Sequence, residues 1–219
     1  MENGLNMLIK HESLIEWARE KSLPYKELMS YYRCAMMEVE TKFKVLSEDF
    51  SVKYDRNPIQ SIKLRLKSPD SIIDKLSRNS WDISIDSIEK NLNDVAGVRV
   101  ICSYQSDVYE LADALLMQDD VELIARKDYI ANPKPNGYRS LHLIIAIPIF
   151  LHNRKKMMKV EIQIRTLAMD WWASLEHDMK YKKDLDFSDQ ILRELHECAE
   201  LSDAIDRRME YLNQQCEKL

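Results

Sequence analysis

Three glycines in 219 residues constrain this chain more than any other feature. Average usage is about 7%, so a chain of this size should hold about fifteen. Gly4, Gly97 and Gly137 stand far apart. A P-loop or a dinucleotide-binding fingerprint needs several glycines close together, so both are excluded. Where glycine is so scarce, each one is expected to fill a special backbone role. Gly97 and Gly137 lie inside dense groups of polar residues, and those groups are the first places to look for a site.

The rest of the composition fits a globular chain with a highly charged surface, 45% hydrophobic and 32% charged. Its length suffices for a core without disulfides or metals. One domain is the natural reading, with N-terminal helices over 1–57, a core over 58–181 and a C-terminal helix over 182–219; two small domains are the alternative. The net charge of −5 argues against a general polyanion binder. Any nucleotide site must then come from a local basic cluster, and no nucleic-acid partner is required. Cys34, Cys102, Cys198 and Cys216 form no Cys-x-x-Cys pair, which argues against a zinc knuckle or redox motif and for reduced thiols in the cytoplasm. No signal peptide is recognisable, and no membrane partner is expected. Leu141 to Leu151, the longest apolar stretch, contains His142 and Pro148 and is far too short to span a bilayer.

Tyr25 to Phe50 repeats apolar residues three and four apart, which predicts a long helix ended by Asn57-Pro58. Ser61 to Lys67 alternates as a half-buried strand. Ser68-Pro69-Asp70 starts a helix to about Arg78, and a short one covers Ile85 to Leu92. Strands follow over Val95–Tyr104, Val121–Arg126, Ser140–Ile149 and Lys159–Arg165, with a helix over Asp107–Met117 and a hairpin turn at His152-Asn153. Helices over Thr166–Lys180 and Ser188–Glu217 complete the chain. The order describes an α+β fold, a mixed five-stranded sheet flanked by helices, with helical arms at both ends.

The polar faces of the strands carry the chemistry. Val160, Ile162 and Ile164 point to the core, while Lys159, Glu161, Gln163 and Arg165 share the other face. For this strand alone, a solvent-facing side is the favoured reading. The pattern recurs, however. Arg65 and Lys67 share a face with Lys63, Arg99 interrupts Val98–Ile101, and His142 interrupts Leu141–Ile144. An unpaired charge is expensive to bury. If the strands are neighbours, one sheet face gathers cations, a carboxylate and hydrogen-bonding groups that suit a polyphosphate with its metal. Asp94, at the start of a strand, and Glu161 are the acidic residues placed to hold Mg²⁺. Taken singly, they read equally as a capping aspartate and a surface glutamate.

Asn132 to Ser140, with two prolines and Gly137, is a stiffened loop that presents Tyr138 and Arg139 at its end. It reads either as a charged surface loop or as a place where a tyrosine stacks on a base and basic side chains meet phosphates. Trp171 and Trp172 are expected in the core. His177-Asp178 invites comparison with His-Asp phosphohydrolases, but their further spaced histidines and aspartates are missing.

Six segments in this order resemble the synthetase domain of RelA/SpoT-type proteins, in the stand-alone form called small alarmone synthetases. They are Arg65–Lys75, Asp94–Arg99, Lys127–Ile130, Asn136–Leu143, Val160–Thr166 and Trp172–His177. Asn-Pro-Lys-Pro-Asn-Gly-Tyr (132 to 138) is most similar to the RelP-type branch. The resemblance implies a nucleotidyltransferase-like synthetase fold and an Mg²⁺-dependent GTP pyrophosphokinase of the stringent response. Pyrophosphate would pass from ATP to the 3′-hydroxyl of GTP or GDP. By resemblance, Arg65 and Arg99 sandwich the adenine, while Lys67, Ser71 and Lys75 bind the ATP phosphates. Asp94 and Glu161 hold Mg²⁺, and Glu161 orients and deprotonates the hydroxyl. Tyr138 stacks on guanine; Lys127, Lys134 and Arg139 serve the acceptor phosphates or the loop; His142 and Gln163 line the acceptor pocket; and Asp170 reads the guanine edge.

No hydrolase domain is expected upstream and no regulatory module downstream. Ser61 and Lys63 fill the places where the alarmone-activated RelQ-type branch has phenylalanine and threonine, which argues against that activation. The family implies a homotetramer built through terminal helices, although the 188–217 helix could equally close its own domain. A catalytically dead sensor or RNA-binding module on this scaffold is one rival. Against it, every candidate catalytic position holds the expected residue type. An adenylyl transferase is the other, and its glycine-serine motif and paired aspartates are missing.

Overall fold

The computed structural model describes residues 22–54, 56–182, 188–216 and 218. Helix α1 (Ser22–Tyr54) opens them. Its buried residues Leu28, Tyr32, Ala35, Met36, Val39 and Phe43 recur at helical spacing and form one stripe. Strand β1 (Ile59–Leu66) follows the break at Asn57-Pro58. Helix α2 (Pro69–Arg78) has Ser68 as N-cap, whose hydroxyl accepts from the Ser71 N–H, and Pro69 in the first turn. Helix α3 (Ile85–Asn91) is capped in the same way by Ser84.

Strand β2 (Ala96–Cys102) leads to helix α4 (Gln105–Leu116). That helix begins earlier than its periodicity predicts, because the buried Asp107 carboxylate reaches back to the Tyr104 N–H and pairs with Arg56. Strands β3 (Glu122–Asp128), β4 (Leu141–Phe150) and β5 (Lys155–Thr166) complete the sheet. The β4–β5 hairpin turns at 151–154, where the Leu151 N–H donates to the Arg154 carbonyl at 2.8 Å. Strand β5 therefore starts at Lys155, four residues before the expected Lys159. Helices α5 (Leu167–Lys182) and α6 (Asp189–Cys216) close the chain.

The sheet order is β1-β2-β5-β4-β3. β2 and β5 run parallel at its centre, and the other pairs are antiparallel. This is the mixed five-stranded α+β architecture expected from sequence. Residues such as Val98, Val100, Ile162, Ile164, Leu143 and Ile145 point to one face, where α1 and α4 cover them in one continuous core. The other face is left for polar side chains.

Trp172 is buried with Ala173 and Ala199, and its indole N–H donates to the Leu195 carbonyl at 2.9 Å. Trp171 is 58% exposed. Only one of the two expected core tryptophans is in the core, because adjacent helix positions point about 100° apart. No described helix is long and apolar enough to cross a membrane.

Candidate functional site

The strand register lines up the polar residues into rows. Lys63, Arg99, Gln163, His142 and Lys127 are mutual partners across β1, β2, β5, β4 and β3, a row that crosses the whole sheet. The next row runs Arg65, Gly97, Glu161, Ile144. Directly opposed residues share a face, so both rows look away from the core. Lys63, Arg65, Lys67, Asp94, Gly97, Arg99, Glu161 and Gln163 line one cavity there. Gly97 keeps its floor low between Arg65 and Glu161. A Cβ at Gly97 would stand 3.3 Å from the Arg65 carbonyl oxygen, close enough to push β1 outward.

Asp94 sits at the mouth of β2. Its Oδ2 receives Lys67 at 2.9 Å and Lys75 at 2.8 Å. Burial pulls this carboxyl upward, but the two ammonium groups outweigh burial and hold it below the ordinary aspartate value. Oδ1 is buried and meets no hydrogen-bond partner. Lys75 comes from α2, whose first turn carries Ser71, hydrogen-bonded to Ser68.

Glu161 lies at the centre of β5. Gln163 Nε2 donates to its Oε2 at 3.1 Å, and His142 Nδ1 faces Oε1 at 3.6 Å. Burial raises this carboxyl and Asp94 adds to the rise; His142, with Gln163, more than offsets both, so Glu161 is held below the ordinary glutamate value. Both carboxylates are therefore ionised at neutral pH.

On the acceptor side predicted from sequence, Tyr138, Tyr129 and His142 meet edge to face, with ring centroids 5.2–6.0 Å apart. Lys134 Nζ stands 4.8 Å from the centroids of both Tyr129 and Tyr138. The loop that carries them is held from both ends. Asp128 accepts from the Ile130 and Ala131 N–H groups, and Gly137 turns with φ 88° against Ala199 of α6. Lys127 is exposed at the edge of the row.

Two expected site residues are engaged by protein partners. Arg139 is buried against α6, where Nη2 pairs with Glu200 at 2.9 Å and Nε with Asp203 at 3.4 Å. Residues 138 and 139 diverge: the Tyr138 hydroxyl reaches His142 and Arg165, and Arg139 fastens the loop to the helix. Asp170, near the start of α5, gathers Lys63 at 3.1 Å, Arg99 at 3.2 Å and Arg165 at 3.3 Å. Its carboxylate is a hub for cations of β1, β2 and β5. Thr166 fixes this turn of α5, accepting from the Met169 N–H at 3.2 Å and donating to Asp206 Oδ2 at 2.5 Å.

Sequence reasoning assigned no role to Lys63, Arg165 or Tyr129. Lys63 and Arg165 were visible as members of the polar face, and Tyr129 as the end of Lys127-Asp128-Tyr129. Their partners come from other strands and from α5, which no local pattern reveals. The described site sets Lys63, Arg65, Lys67, Lys75, Arg99 and Arg165 against Asp94, Glu161 and Asp170. Such an excess of fixed cations favours a polyanionic ligand.

The chain resembles known proteins along most of its length. The model for a region found in RelA and SpoT proteins matches residues 64–186. The GTP pyrophosphokinase YwaC of Bacillus subtilis (strain 168) is 44% identical over 185 residues, 84% of this chain and 88% of that protein. The crystal structure of small alarmone synthetase 2 from Bacillus subtilis matches with a TM-score of 0.80 at 42% identity, covering 87% of this chain and 98% of that one. Small alarmone synthetase 1 from the same organism, bound to its product pppGpp, also matches with a TM-score of 0.80, at 31% identity over 88% and 97% of the two chains.

Proposed function

Since the chain belongs to the family defined by the region found in RelA and SpoT proteins, we propose that it is a GTP pyrophosphokinase that makes (p)ppGpp. It transfers pyrophosphate from ATP to the ribose 3′-hydroxyl of GTP or GDP and releases AMP. The observation that carries this reading is the pair Asp94 and Glu161, both held ionised in one cation-lined cavity on the open sheet face.

The reading includes Mg²⁺. Asp94 Oδ1 is a buried oxygen without a partner, and Glu161 is a second carboxylate lining the same cavity. Those donors fit a hard cation that takes one or two carboxylates and fills its other positions with water and phosphate oxygens. Asp94 and Glu161 would hold it, and when bound it neutralises phosphate charge.

The chain's own residues do the rest by positioning and charge. Arg65 and Arg99 flank the adenine, and Lys67, Lys75 and Ser71 receive the ATP phosphates. Tyr138 stacks on guanine, Lys134 and Lys127 meet the acceptor phosphates, and His142 and Gln163 line the acceptor pocket. Glu161 takes the proton of the 3′-hydroxyl as that oxygen attacks the β-phosphorus. The bond from the β-phosphorus to the α,β-bridging oxygen breaks, and its electron pair leaves with AMP. Asp170 orients Arg99 in place of the direct guanine contact expected of it, and Arg139 takes the loop-holding one of its two expected roles.

A cytoplasmic homotetramer is part of the same reading. The four cysteines being free supports the compartment. Ile191, Leu192, Leu201, Ile205 and Met209, left exposed along α6, support the assembly.

The test is to incubate purified protein with Mg²⁺, labelled ATP and GTP or GDP, and to resolve the nucleotides. AMP should appear in step with a 3′-pyrophosphorylated guanosine nucleotide, and both should fall steeply in Asp94→Asn and Glu161→Gln. Release of pyrophosphate instead of AMP would mean adenylyl transfer and would sink the reading.

A further inference from the structure

Arg165 is the most enclosed cation of the site, 3% exposed, and takes no direct part in the proposed transfer. A guanidinium offers donors only. Its Nη2 donates to the Tyr138 hydroxyl at 2.7 Å and to Gln163 Oε1 at 2.7 Å, and its Nη1 donates to Asp170 Oδ1 at 3.3 Å. Its Nε is buried without a partner. A buried N–H left unmet is costly. The guanidinium is thus angled to serve Tyr138 and Gln163 rather than to saturate itself.

Proton counting then runs outward from Arg165 along two chains. The Gln163 oxygen is committed to Arg165, so its amide N–H is the group that faces Glu161 Oε2 at 3.1 Å. The Tyr138 oxygen accepts from Arg165, which leaves its own proton for His142 Nε2 at 2.8 Å. Among the described contacts His142 Nε2 is the acceptor which that proton meets, so the ring carries its own proton on Nδ1. Nδ1 is the atom that faces Glu161 Oε1 at 3.6 Å. Gln163 therefore donates to Glu161, and the His142 N–H is turned toward it. With the opposite polarity, a nitrogen lone pair and an amide oxygen would face the carboxylate.

We propose that Arg165 is a positioning residue that sets the direction of the two side-chain relays leading to Glu161, fixing His142 in its Nδ1–H form and Gln163 in one amide orientation. The consequence for catalysis rests on the pyrophosphokinase reading, whereas the tautomer does not. Arg165 presents Glu161 to the acceptor as a carboxylate with its lone pairs aimed and its two flanking donors in place.

The test is nitrogen NMR of the full-length, nucleotide-free and metal-free protein with isotope-labelled histidine, His142 being assigned by its absence in His142→Asn. The wild-type ring should show a protonated Nδ1 and an unprotonated Nε2. Tyr138→Phe, which removes only the hydroxyl, and Arg165→Met should both move the proton towards Nε2. Arg165→Lys, which keeps a donor for Tyr138, should restore the Nδ1–H form and part of the turnover. In kinetics, Arg165→Met should lower kcat about 10- to 100-fold while the KM for ATP stays within about threefold. An Nε2–H or doubly protonated His142 in the wild type overturns the proposal, as does an unchanged His142 signal in Tyr138→Phe. If Arg165→Met does not fold, Tyr138→Phe decides. A protein with the expected tautomer but no AMP release would refute the pyrophosphokinase reading and leave the hydrogen-bond assignment standing.

Discussion

Gly137→Ala puts the acceptor loop under a test whose size follows from two distances and one angle. Gly137 has φ 88°, and a Cβ there would stand 2.4 Å from Ala199 Cβ and 3.3 Å from His196 Nδ1. Holding alanine in the left-handed region costs about 1–2 kcal/mol. Forcing a carbon pair apart from such an overlap is overpacking, about 1–3 kcal/mol. The single variant should therefore lose about 2–5 kcal/mol. Ala199→Gly removes the wall that the new methyl strikes. Alone it costs about 1 kcal/mol of helix propensity and about 0.8 kcal/mol for its buried methyl. Combined with Gly137→Ala it abolishes the overlap and leaves the backbone strain. The double variant should then be more stable than the sum of the singles predicts, by about 1–3 kcal/mol. Urea unfolding followed by circular dichroism measures all three, with equal m-values as the check on comparability. The KM for the guanosine nucleotide should rise in Gly137→Ala more than the KM for ATP, because Tyr138 follows directly. A Gly137→Ala protein within about 0.5 kcal/mol of wild type, or strictly additive singles, would refute the packing account.

Further outcomes are expected. Glu161→Gln should stay folded and lose about 100- to 10,000-fold in kcat, measured as AMP release; an active enzyme would remove Glu161 as the base. Asp94 and Glu161 are both held below their ordinary values of 3.8 and 4.5. Each thus contributes stability that is full above the unfolded value and is lost as pH falls through the folded one. Acid unfolding below about pH 4 should be steeper in wild type than in Asp94→Asn, and equal slopes would contradict the ion pairs. Asp206 moves the other way: burial first, with Asp203 and Glu210, pushes it up to about 6 against the hydrogen bonds of Thr166 and Gln105. Its neutral form favours folding at low pH, and that contribution is lost as pH rises through about 6. Asp206→Asn should match wild type near pH 4 and exceed it by about 1–2 kcal/mol at pH 8, solvent screening having trimmed the larger value of a wholly buried group. Urea midpoints across that range decide it.

Much of this was legible in the residues. Alternation in Val160–Arg165 and the single polar interruptions at Arg99 and His142 predicted a sheet with one apolar and one charged face, and the register joins those residues in rows. What stayed hidden depends on partners remote in sequence. Arg139 follows Tyr138 and looks like a ligand cation, yet Glu200 and Asp203 of α6 claim it. Asp170 looks like a free polar group in a helix, but its three cations arrive from three strands. Lys155 to Met158 lie outside the expected strand because β-pairing to Phe150–Ile147 supplies what local preference does not.

The one parallel pairing in the sheet also bears on how the site comes into being. Gly97 and Arg99 are separated in the chain from Glu161 and Gln163 by α4, β3 and β4. Closing such a long loop yields no contact energy until the strands dock, and contacts of this kind form slowly. The two carboxylates are therefore expected to come together late on the folding path, so that nascent or partly folded chains would lack the nucleotide cavity.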